Sequence, residues 1–357
     1  MAKIFITGAT GQVGRQLVNY LLKEKKLGVE SPLDIACLIR NPGKAQELID
    51  LGIDVVEGDL LASDTISEAM NNGIQFVFHI AADINVNHSY EEMYPTNVLG
   101  TRIILDAFVN SKAQCFIYTS SIAVYDTESK KEKELQIDED FPIGPTEGLA
   151  YAVTKRLAEA MVKSYQKDYP EKRFIITRLG PILGPGDRQF LPTIIQLLSY
   201  RFIPKLINRG KYIMSLTSPI DIARAQVFLA EQSGMLQESI FNIAQGFITF
   251  REILETVSEY YHRRPPKFSI TFWFFKILRP FIVLLHKIFP RINLLKVALS
   301  PTTSHYIGRS FYFNSERLLQ LGFKFSVHPK EAILTGLEYL DPQKTLLKPS
   351  WFYKQQE

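Results

Sequence analysis

Residues 7–14 read Thr7-Gly8-Ala9-Thr10-Gly11-Gln12-Val13-Gly14, and this stretch decides the fold. A short apolar run at 4–6 precedes it, and a stretch with apolar residues at helical spacing follows it. In a strand–turn–helix unit, glycines let the backbone approach a pyrophosphate, and the free amides of the helix N-terminus attract its charge. The stretch therefore predicts a nucleotide-binding turn, with a plain tight turn as the alternative.

The composition is that of an ordinary globular protein with reduced thiols. Of its 357 residues, 46% are hydrophobic, as in typical folded domains. The two cysteines, Cys37 and Cys115, lie in apolar runs, which indicates buried cytoplasmic thiols rather than disulfides. The six histidines are scattered without metal-ligand spacing, so we expect no metal site. The N-terminus enters the first apolar run directly, and we expect no signal peptide.

Strand-like and helix-like runs alternate through the first half of the chain. Strands are predicted at 4–6, 33–39, 54–57, 75–79, 113–119 and 174–178. Helices are predicted near 11–25, 43–51, 64–71, 90–111 and 148–169. Beyond Gln189 the alternation loosens, with helical patterns near 190–200, 219–232 and 249–261 and a strand at 239–243. The alternation predicts an α/β fold with a Rossmann-like, doubly wound parallel sheet.

The residue that follows the second predicted strand separates two cofactors. Enzymes that prefer NAD usually place an acidic residue there, which bonds the ribose 2′-hydroxyl. This chain has Arg40 instead, and a guanidinium suits a 2′-phosphate because it can donate two parallel hydrogen bonds. Lys44 is close enough in sequence to assist. We therefore expect NADP in preference to NAD; the alternative is that Arg40 only faces solvent.

Three side chains in the middle of the chain suit proton transfer at a carbonyl. Ser121 closes a serine-rich strand end, and Tyr151 and Lys155 are four residues apart, which places them on one face of a helix. A free phenol has a pKa of about 10, so we expect the Lys155 ammonium to lower the pKa of Tyr151. The Ser121 hydroxyl would bond the substrate oxygen. Ser120 replaces Ser121 if the register shifts by one residue.

In this order the motifs resemble the extended short-chain dehydrogenase/reductases, the NAD-dependent epimerase/dehydratase superfamily. The resemblance covers nearly the whole chain. It implies that Tyr151 is the catalytic acid–base, helped by Lys155 and Ser121. It also implies that Asp59 contacts the adenine and that Asn97 braces the active-site strands. The cofactor-binding residues that it implies are Gly8, Thr10, Gly11, Gln12, Val13, Gly14, Arg40, Asp59, Leu60, Ala81, Ala82, Tyr151, Lys155 and Pro181.

The resemblance also implies a smaller substrate-binding domain that is interleaved with the sheet. We expect an NAD(P)-binding domain at residues 1–188 and a mainly substrate-binding domain at 189–357, from which the chain partly returns to the core. Asp221 matches the family motif that joins the two halves. In this fold class the second half decides the substrate.

The segment 262–299, within the second half, is apolar, aromatic and basic. From Tyr260 to Ser315 the chain has no Asp or Glu but nine Lys or Arg. Charged residues and prolines break every apolar run of 268–299 well short of the roughly 18 residues of a membrane span. This pattern is typical of a segment that lies in an anionic membrane surface. A lid over an apolar pocket is the alternative.

An apolar insertion at this place resembles the 3β-hydroxysteroid and sterol-4-carboxylate dehydrogenase branch. We therefore expect an NAD(P)-dependent oxidoreductase that interconverts a secondary alcohol and a ketone on an apolar substrate, either sterol-like or a long-chain β-keto acid. A nucleotide-sugar epimerase or dehydratase with tightly bound NAD is the alternative, and Arg40 counts against it. A non-catalytic sensor is a third class, and the presence of both Tyr151 and Lys155 counts against that.

The expected partners and location follow from the same features. We expect an apolar small-molecule substrate and no nucleic acid. The resemblance allows a homodimer formed by the helices 90–111 and 148–169. The expected location is the cytoplasm, with peripheral contact at a membrane surface through 268–299 as an addition to it.

Overall fold

Short strands build one central sheet and three smaller pairs. The computed structural model describes residues 2–85, 87–127, 129, 130, 132–200, 206–288 and 308–347. Its strands are β1 (Ile4–Thr7), β2 (Ile35–Ile39), β3 (Asp54–Glu57), β4 (Phe76–His79), β5 (Cys115–Ser121), β6 (Glu134–Ile137), β7 (Arg173–Leu179), β8 (Leu206–Ile207), β9 (Ile213–Leu216), β10 (Ile240–Ile243), β11 (Gly246–Thr249), β12 (Ser269–Ile270) and β13 (Ser310–Phe313).

Helices connect most of these strands. They are α1 (Gln12–Glu24), α2 (Gln46–Asp50), α3 (Ser63–Met70), α4 (Tyr90–Tyr94), α5 (Gly100–Val109), α6 (Ala150–Asp168), α7 (Phe190–Ser199), α8 (Pro219–Glu231), α9 (Phe250–Tyr260), α10 (Phe272–Ile288), α11 (Glu316–Gln320) and α12 (Pro329–Leu340). A π-helical segment, Pro95–Leu99, joins α4 to α5 without a break.

Seven of these strands form one sheet in the order β10-β7-β5-β4-β1-β2-β3, and all the pairings are parallel. The strand order reverses at β1, whose neighbours are β2 and β4. In open parallel sheets, ligands bind outside the carboxyl ends of the strands at such a switch point. The predicted doubly wound, Rossmann-like sheet is therefore confirmed, and its topology says where a ligand belongs.

Two apolar layers cover the faces of the sheet. On one face, α1 and α8 pack through residues such as Leu17, Leu21 and Val227. On the other, α3, α5 and α6 pack through residues such as Ile66, Phe108 and Val162. Because both faces are covered, the inner strands are continuous apolar runs, which is why they could be predicted from the sequence.

The second half of the chain adds its own core and also completes the sheet. The helices α7, α9 and α12 enclose a separate apolar cluster, beside the antiparallel pair β9–β11 and the parallel pair β8–β12. β13 pairs in parallel with β6, which comes from the first half. β10 extends the central sheet at β7. The predicted boundary at residue 188 stays a prediction.

The predicted elements differ from the observed ones mainly at their ends. β3 has the predicted bounds, β2 begins two residues later than predicted, and β5 lies at Cys115–Ser121 instead of 113–119. β6, β9, β11 and β13 were not predicted. Each has four residues and pairs only with one other short strand. Among the described residues, no helix is long and apolar enough to cross a bilayer.

Candidate active site at the carboxyl edge of the sheet

The glycine turn between β1 and α1 is held in place by close backbone packing. Gly8 has φ +79°, and a Cβ there would lie 2.7 Å from the backbone nitrogen of Ala81. A Cβ on Gly14 would overlap the Gly8 carbonyl oxygen and lie 2.6 Å from the Cα of Ala9. These two positions therefore accept only glycine, because a side chain would push α1 away from the strand ends.

Gly11 has free space around it, unlike Gly8 and Gly14. It is exposed, and a Cβ there would meet only the carbonyl oxygen of Gly8, at 3.1 Å. Gly11 caps the N-terminus of α1, whose first turn has no acidic residue. Free amides, an uncrowded approach and the positive end of the helix dipole suit an anionic pyrophosphate. Thr10 lies in the same turn and Gln12 and Val13 begin α1 directly after it, so the predicted residues fit such a group.

Arg40 and Asp59 lie side by side after β2 and β3. The Arg40 guanidinium is exposed, and its Nη1 is 3.9 Å from the Asp59 carboxylate, a distance at which an exposed pair is weak. The other Asp59 oxygen accepts the Leu61 amide at 3.0 Å. Leu60 is buried, and its Cβ would lie 2.9 Å from a Cβ on Gly100. Arg40 is thus free to turn toward an anion, whereas Leu60 acts through packing.

The small residues after β4 meet the glycine turn from the other side. The Ala81 amide donates to Thr7 Oγ1 at 3.2 Å, and Ala81 limits the space above Gly8. Ala81 and Ala82 are both partly buried. The predicted cofactor residues of β1 and β4 are therefore brought together at one place on the edge of the sheet.

A buried histidine links these strand ends to the helix α5. His79 Nδ1 lies 2.8 Å from Thr7 Oγ1, and its Nε2 lies 2.9 Å from Thr101 Oγ1. Thr101 donates its own hydroxyl hydrogen to the Asn97 carbonyl at 2.7 Å, so its oxygen accepts from His79, which assigns the proton to Nε2. Burial, together with the nearby Lys155 charge, lowers the pKa of His79 to about 3. The ring is therefore neutral and acts as a structural link.

This low pKa predicts an acid-sensitive fold. An unfolded histidine has a pKa of about 6.5, so between pH 6.5 and 3 the unfolded chain binds a proton that the folded chain does not. The free energy of unfolding should therefore decrease as the pH is lowered, by about 2 kcal/mol from pH 7 to pH 5 from this group alone. Urea denaturation at both pH values would measure it. The variant His79→Gln should lose that part of the pH dependence; an unchanged dependence would contradict the assignment.

The π-helical segment places Asn97 where it can brace two elements. The Asn97 Oδ1 accepts the Asp83 amide at 2.7 Å, and its Nδ2 donates to the Asp83 carbonyl at 2.9 Å. The same Nδ2 donates to Thr154 Oγ1 at 3.1 Å. Thr154 donates in turn to the Tyr151 carbonyl at 2.9 Å. Asn97 thus ties the segment after β4 to the first turns of α6.

Ser121, Tyr151 and Lys155 meet where β5 faces α6. Ser121 ends β5, and Tyr151 lies in the first turn of α6, close enough for the Ser121 hydroxyl to act on the pKa of the phenol. Lys155 is buried one turn further along, and its Nζ donates to the Thr119 carbonyl at 2.8 Å and to Tyr118 Oη at 3.4 Å. Ser120 points elsewhere: its hydroxyl donates to Glu159 at 2.9 Å. The register therefore brings Ser121 to Tyr151, and Ser120 does not replace it.

The expected lowering of the Tyr151 pKa is wrong for this arrangement. Burial raises the pKa of Tyr151 to about 12, although the nearby Ser121 hydroxyl acts in the opposite direction. Burial lowers the pKa of Lys155 to about 7, opposed by the Glu159 carboxylate. Lys155 donates to β5 instead of to the phenol, so desolvation decides the pKa of Tyr151. Tyr151 is protonated at neutral pH and is ready to donate a proton.

Behind Lys155 lies a buried ion pair that was not predicted. Arg178 of β7 donates to both carboxylate oxygens of Glu159, through Nε at 3.1 Å and Nη2 at 2.5 Å. Its Nη1 donates to Tyr125 Oη at 3.0 Å and to the Glu139 carbonyl at 2.9 Å. Burial opposes the charge of Glu159, but the Arg178 hydrogen bonds and charge outweigh it and lower the pKa of that carboxyl. The sequence feature that could have indicated this ion pair is Glu159, four residues after Lys155 and on the same face of α6.

Two further predicted residues connect the halves of the chain. Pro181, which follows β7, accepts the Thr217 amide at 3.0 Å and is partly buried. Asp221 is fully buried near the start of α8 and accepts the Ser326 hydroxyl at 2.8 Å and the Val327 amide at 2.9 Å. Pro181 therefore joins the chain after β7 to the second half, whereas Asp221 anchors the C-terminal part of the chain.

The apolar basic segment is only partly described. Of the predicted stretch 268–299, residues 289–299 lie outside the described residues.

In the part of the chain that the structure covers, no cluster of three or more His, Cys, Asp or Glu side chains could hold a metal ion. Cys37 and Cys115 are buried free thiols.

Known proteins resemble this chain in sequence. Residues 4–244 match the NAD dependent epimerase/dehydratase family. A Stigmatella aurantiaca protein named 4-hydroxy-2-methyl-3-oxo-4-farnesyl-3,4-dihydroquinoline-1-oxide ketoreductase is 28% identical over 231 residues, 64% of this chain and 65% of that protein. The chain thus matches just under two thirds of that relative's length. The Mus musculus sterol-4-alpha-carboxylate 3-dehydrogenase, decarboxylating, is 25% identical over 338 residues, 93% of this chain and 89% of that protein.

The fold also resembles solved structures. UDP-glucuronic acid 4-epimerase from Bacillus cereus, in complex with NAD, superposes with a TM-score of 0.71 and covers 96% of this chain and 100% of its own. The two sequences are 19% identical. At that identity the similarity concerns the fold and its parallel sheet, and not the substrate.

Proposed function

The chain belongs to the NAD-dependent epimerase/dehydratase family, and from this premise we propose that it reduces a ketone to a secondary alcohol, or runs the reverse reaction, on an apolar substrate. It is an enzyme of the extended short-chain dehydrogenase type. Sterol-like molecules and long-chain β-keto acids are the proposed substrates. In support, the names of two relatives state a farnesylated ketone and a sterol carboxylate.

One observation carries the proposal: Ser121 at the end of β5 lies beside Tyr151 in the first turn of α6, on the same carboxyl edge of the sheet as the glycine turn. In the reducing direction, Ser121 and Tyr151 hold the substrate carbonyl oxygen, and Tyr151 Oη donates its proton as that oxygen becomes a hydroxyl. The raised pKa of Tyr151 suits this acid role, because the phenol stays protonated at neutral pH.

Lys155 and the glycine turn hold the cofactor in this proposal. A nicotinamide dinucleotide, when bound, supplies or accepts the hydride. Gly8, Gly11 and Gly14 shape the turn that receives its pyrophosphate, and Lys155 bonds the nicotinamide ribose. The buried hydrogen bond from Lys155 to Thr119 fixes the direction of the ammonium group.

We further propose NADP as the preferred cofactor, with NAD as the alternative. The exposed Arg40 at the end of β2 is the reason, because a guanidinium can bond a 2′-phosphate where an acid would repel it. Lys44 lies in the turn after Asn41 and is also exposed. Asp59, 3.9 Å from Arg40, reaches the adenine in this proposal.

The substitution Arg40→Asp tests this preference. It is expected to reverse the ratio of the NADPH and NADH dissociation constants by at least about tenfold, since it replaces a 2′-phosphate ligand with a 2′-hydroxyl ligand. Fluorescence titration of both cofactors measures the ratio. Lys112→Asp, an exposed cation between α5 and β5 at the opposite edge of the sheet, is the control. An unchanged ratio in the Arg40 variant would mean that Arg40 does not bind the cofactor.

A substrate screen tests the reaction itself. The purified protein is mixed with NADPH or NADH and with apolar ketones, sterol ketones and long-chain β-keto acids, and cofactor oxidation is followed by absorbance. We expect turnover with at least one apolar class. Nucleotide sugars form the comparison arm, because the fold is shared with a UDP-glucuronic acid 4-epimerase. Conversion of nucleotide sugars alone would overturn the proposed substrate class.

A further inference from the structure

The helix α10 exposes a row of large apolar side chains along one side. Successive residues of a helix are rotated by about 100° around its axis. On that basis, the five side chains of this row fall within an arc of about 100° around the axis of α10. A helix of an ordinary globular protein buries such a stripe. The residues of this α10 stripe, each 44–71% exposed, are Trp273, Phe274, Ile277, Phe281 and Leu284.

Near its N-terminal end, the opposite side of α10 is attached to the protein. Phe275 is buried and stacks with Phe272, with ring centroids 6.4 Å apart. The Phe272 amide donates to Asn208 Oδ1 at 2.9 Å. The strand β12, directly before the helix, pairs with β8. These contacts hold the helix by its N-terminal end and leave the α10 stripe facing away from the body of the chain.

Charge indicates what covers the α10 stripe. The sequence from Tyr260 to Ser315 has nine Lys or Arg and no Asp or Glu. A sequence that combines an apolar helix stripe with many cations and no acidic residue complements a layer that is apolar inside and anionic outside. Phe268, 67% exposed, adds a further large aromatic side chain just before β12. An anionic lipid surface combines both properties.

The length of α10 decides how it can meet such a layer. The helix has 17 residues with Pro280 inside it, shorter than the roughly 20 apolar residues of a membrane span. An amphipathic helix of this kind lies parallel to the surface, with its apolar face among the acyl chains and its charged neighbours at the headgroups. Trp273 has the amphipathic ring that is enriched at this depth.

We propose that the α10 stripe binds the surface of an anionic phospholipid bilayer and holds the protein there without crossing it. This inference goes beyond the oxidoreductase function, because it requires neither cofactor nor turnover. It gives the enzyme direct access to substrates that partition into lipid.

Flotation of the full-length protein with vesicles tests the proposal. Vesicles of phosphatidylcholine with 30% phosphatidylserine, on the order of the anionic content that such sites recognise, are compared with pure phosphatidylcholine. We expect binding to the anionic vesicles to be at least about tenfold stronger, and to weaken when salt shortens the screening length below about 10 Å. Absence of binding to anionic vesicles at low salt would overturn the proposal.

Matched variants assign the binding to the α10 stripe. The double substitution Ile277→Glu with Phe281→Glu should reduce vesicle binding at least about tenfold, since it places two carboxylates in the apolar face. The controls Leu33→Glu and Met235→Glu change exposed apolar residues elsewhere and should bind like the unmodified protein. Cofactor binding should be equal in all variants, which separates this test from the oxidoreductase proposal. Equal loss in controls and double variant would contradict the assignment.

Tryptophan fluorescence gives a second readout that does not depend on a folding defect. The sequence has two tryptophans, Trp273 and Trp351, so Trp351→Phe leaves Trp273 as the only reporter. Its emission should shift to shorter wavelength on adding anionic vesicles, and brominated acyl chains should quench it. An unshifted spectrum would overturn the proposal. A shift that depends only on protein concentration would also overturn it and would indicate that a second copy of the chain covers the α10 stripe.

Discussion

Replacing Tyr151 with Phe is expected to lower kcat by about 10²–10⁴-fold, the usual contribution of a positioned general acid. The substitution removes only the hydroxyl that donates to the substrate oxygen. Lys155 keeps its hydrogen bond to Thr119 and the glycine turn is untouched, so the cofactor dissociation constant should not change. Initial rates with the best substrate of the screen, together with a cofactor titration, measure both quantities.

Tyr165→Phe is the matched control for this prediction. Tyr165 lies on the same helix, α6, and its hydroxyl donates to Asp106 on the outside of the protein. Turnover should stay near that of the unmodified enzyme. If Tyr151→Phe also left turnover nearly intact, Tyr151 would not be the acid, and the proposed chemistry would have to rest on another donor.

Arg178→Met is expected to cost about 3 kcal/mol in the free energy of unfolding. Removing one partner of a buried ion pair leaves the other charge without compensation, which typically costs 3–5 kcal/mol. The lower end of this range applies here, because the Lys163 ammonium remains 2.9 Å from the Glu159 carboxylate and still compensates part of its charge. Urea denaturation at pH 7, followed by circular dichroism, measures the difference from the unmodified protein.

The double substitution Glu159→Leu with Arg178→Met separates charge from packing. Once both charges are removed, no uncompensated carboxylate remains, so the double variant should be less destabilised than Arg178→Met alone. A double variant that is as unstable as the single one, or less stable, would show that the network matters through its shape and its other hydrogen bonds and not through the pairing of charge.

The parts of the fold that follow from local patterns could be predicted from the sequence. β1, β2, β4, β5 and β7 are buried on both faces, so each appears as an apolar run. The glycine turn was predictable because it follows one such run directly. β6 and β13 could not be predicted in this way. They are short, and the register that pairs Ser310 with Glu134 joins residues far apart in the chain.

In the candidate site, too, the features that follow from local sequence spacing could be predicted, and those that depend on tertiary packing could not. The pattern of Ser121, Tyr151 and Lys155 is local, and the structure brings the three to one place, where their catalytic roles remain proposals. The pKa of Tyr151 was predicted in the wrong direction because it depends on burial, which packing decides and sequence spacing does not. The bond between Arg178 and Glu159 joins a strand to a helix, and no periodic pattern links the two positions.

The position of β10 at the end of the central sheet has a consequence for how the protein can be divided. Without the second half, β7 would become an edge strand that is unpaired along Ile176–Leu179, the residues that pair with β10. Such an edge is a template for aggregation. Tyr125 would also lose the Asn242 oxygen that accepts its hydroxyl at 2.6 Å. A fragment that stops near residue 188 should therefore precipitate when produced alone and should recover only when it is co-expressed with its complement; on this expectation, residues 1–188 would not fold as a transplantable module.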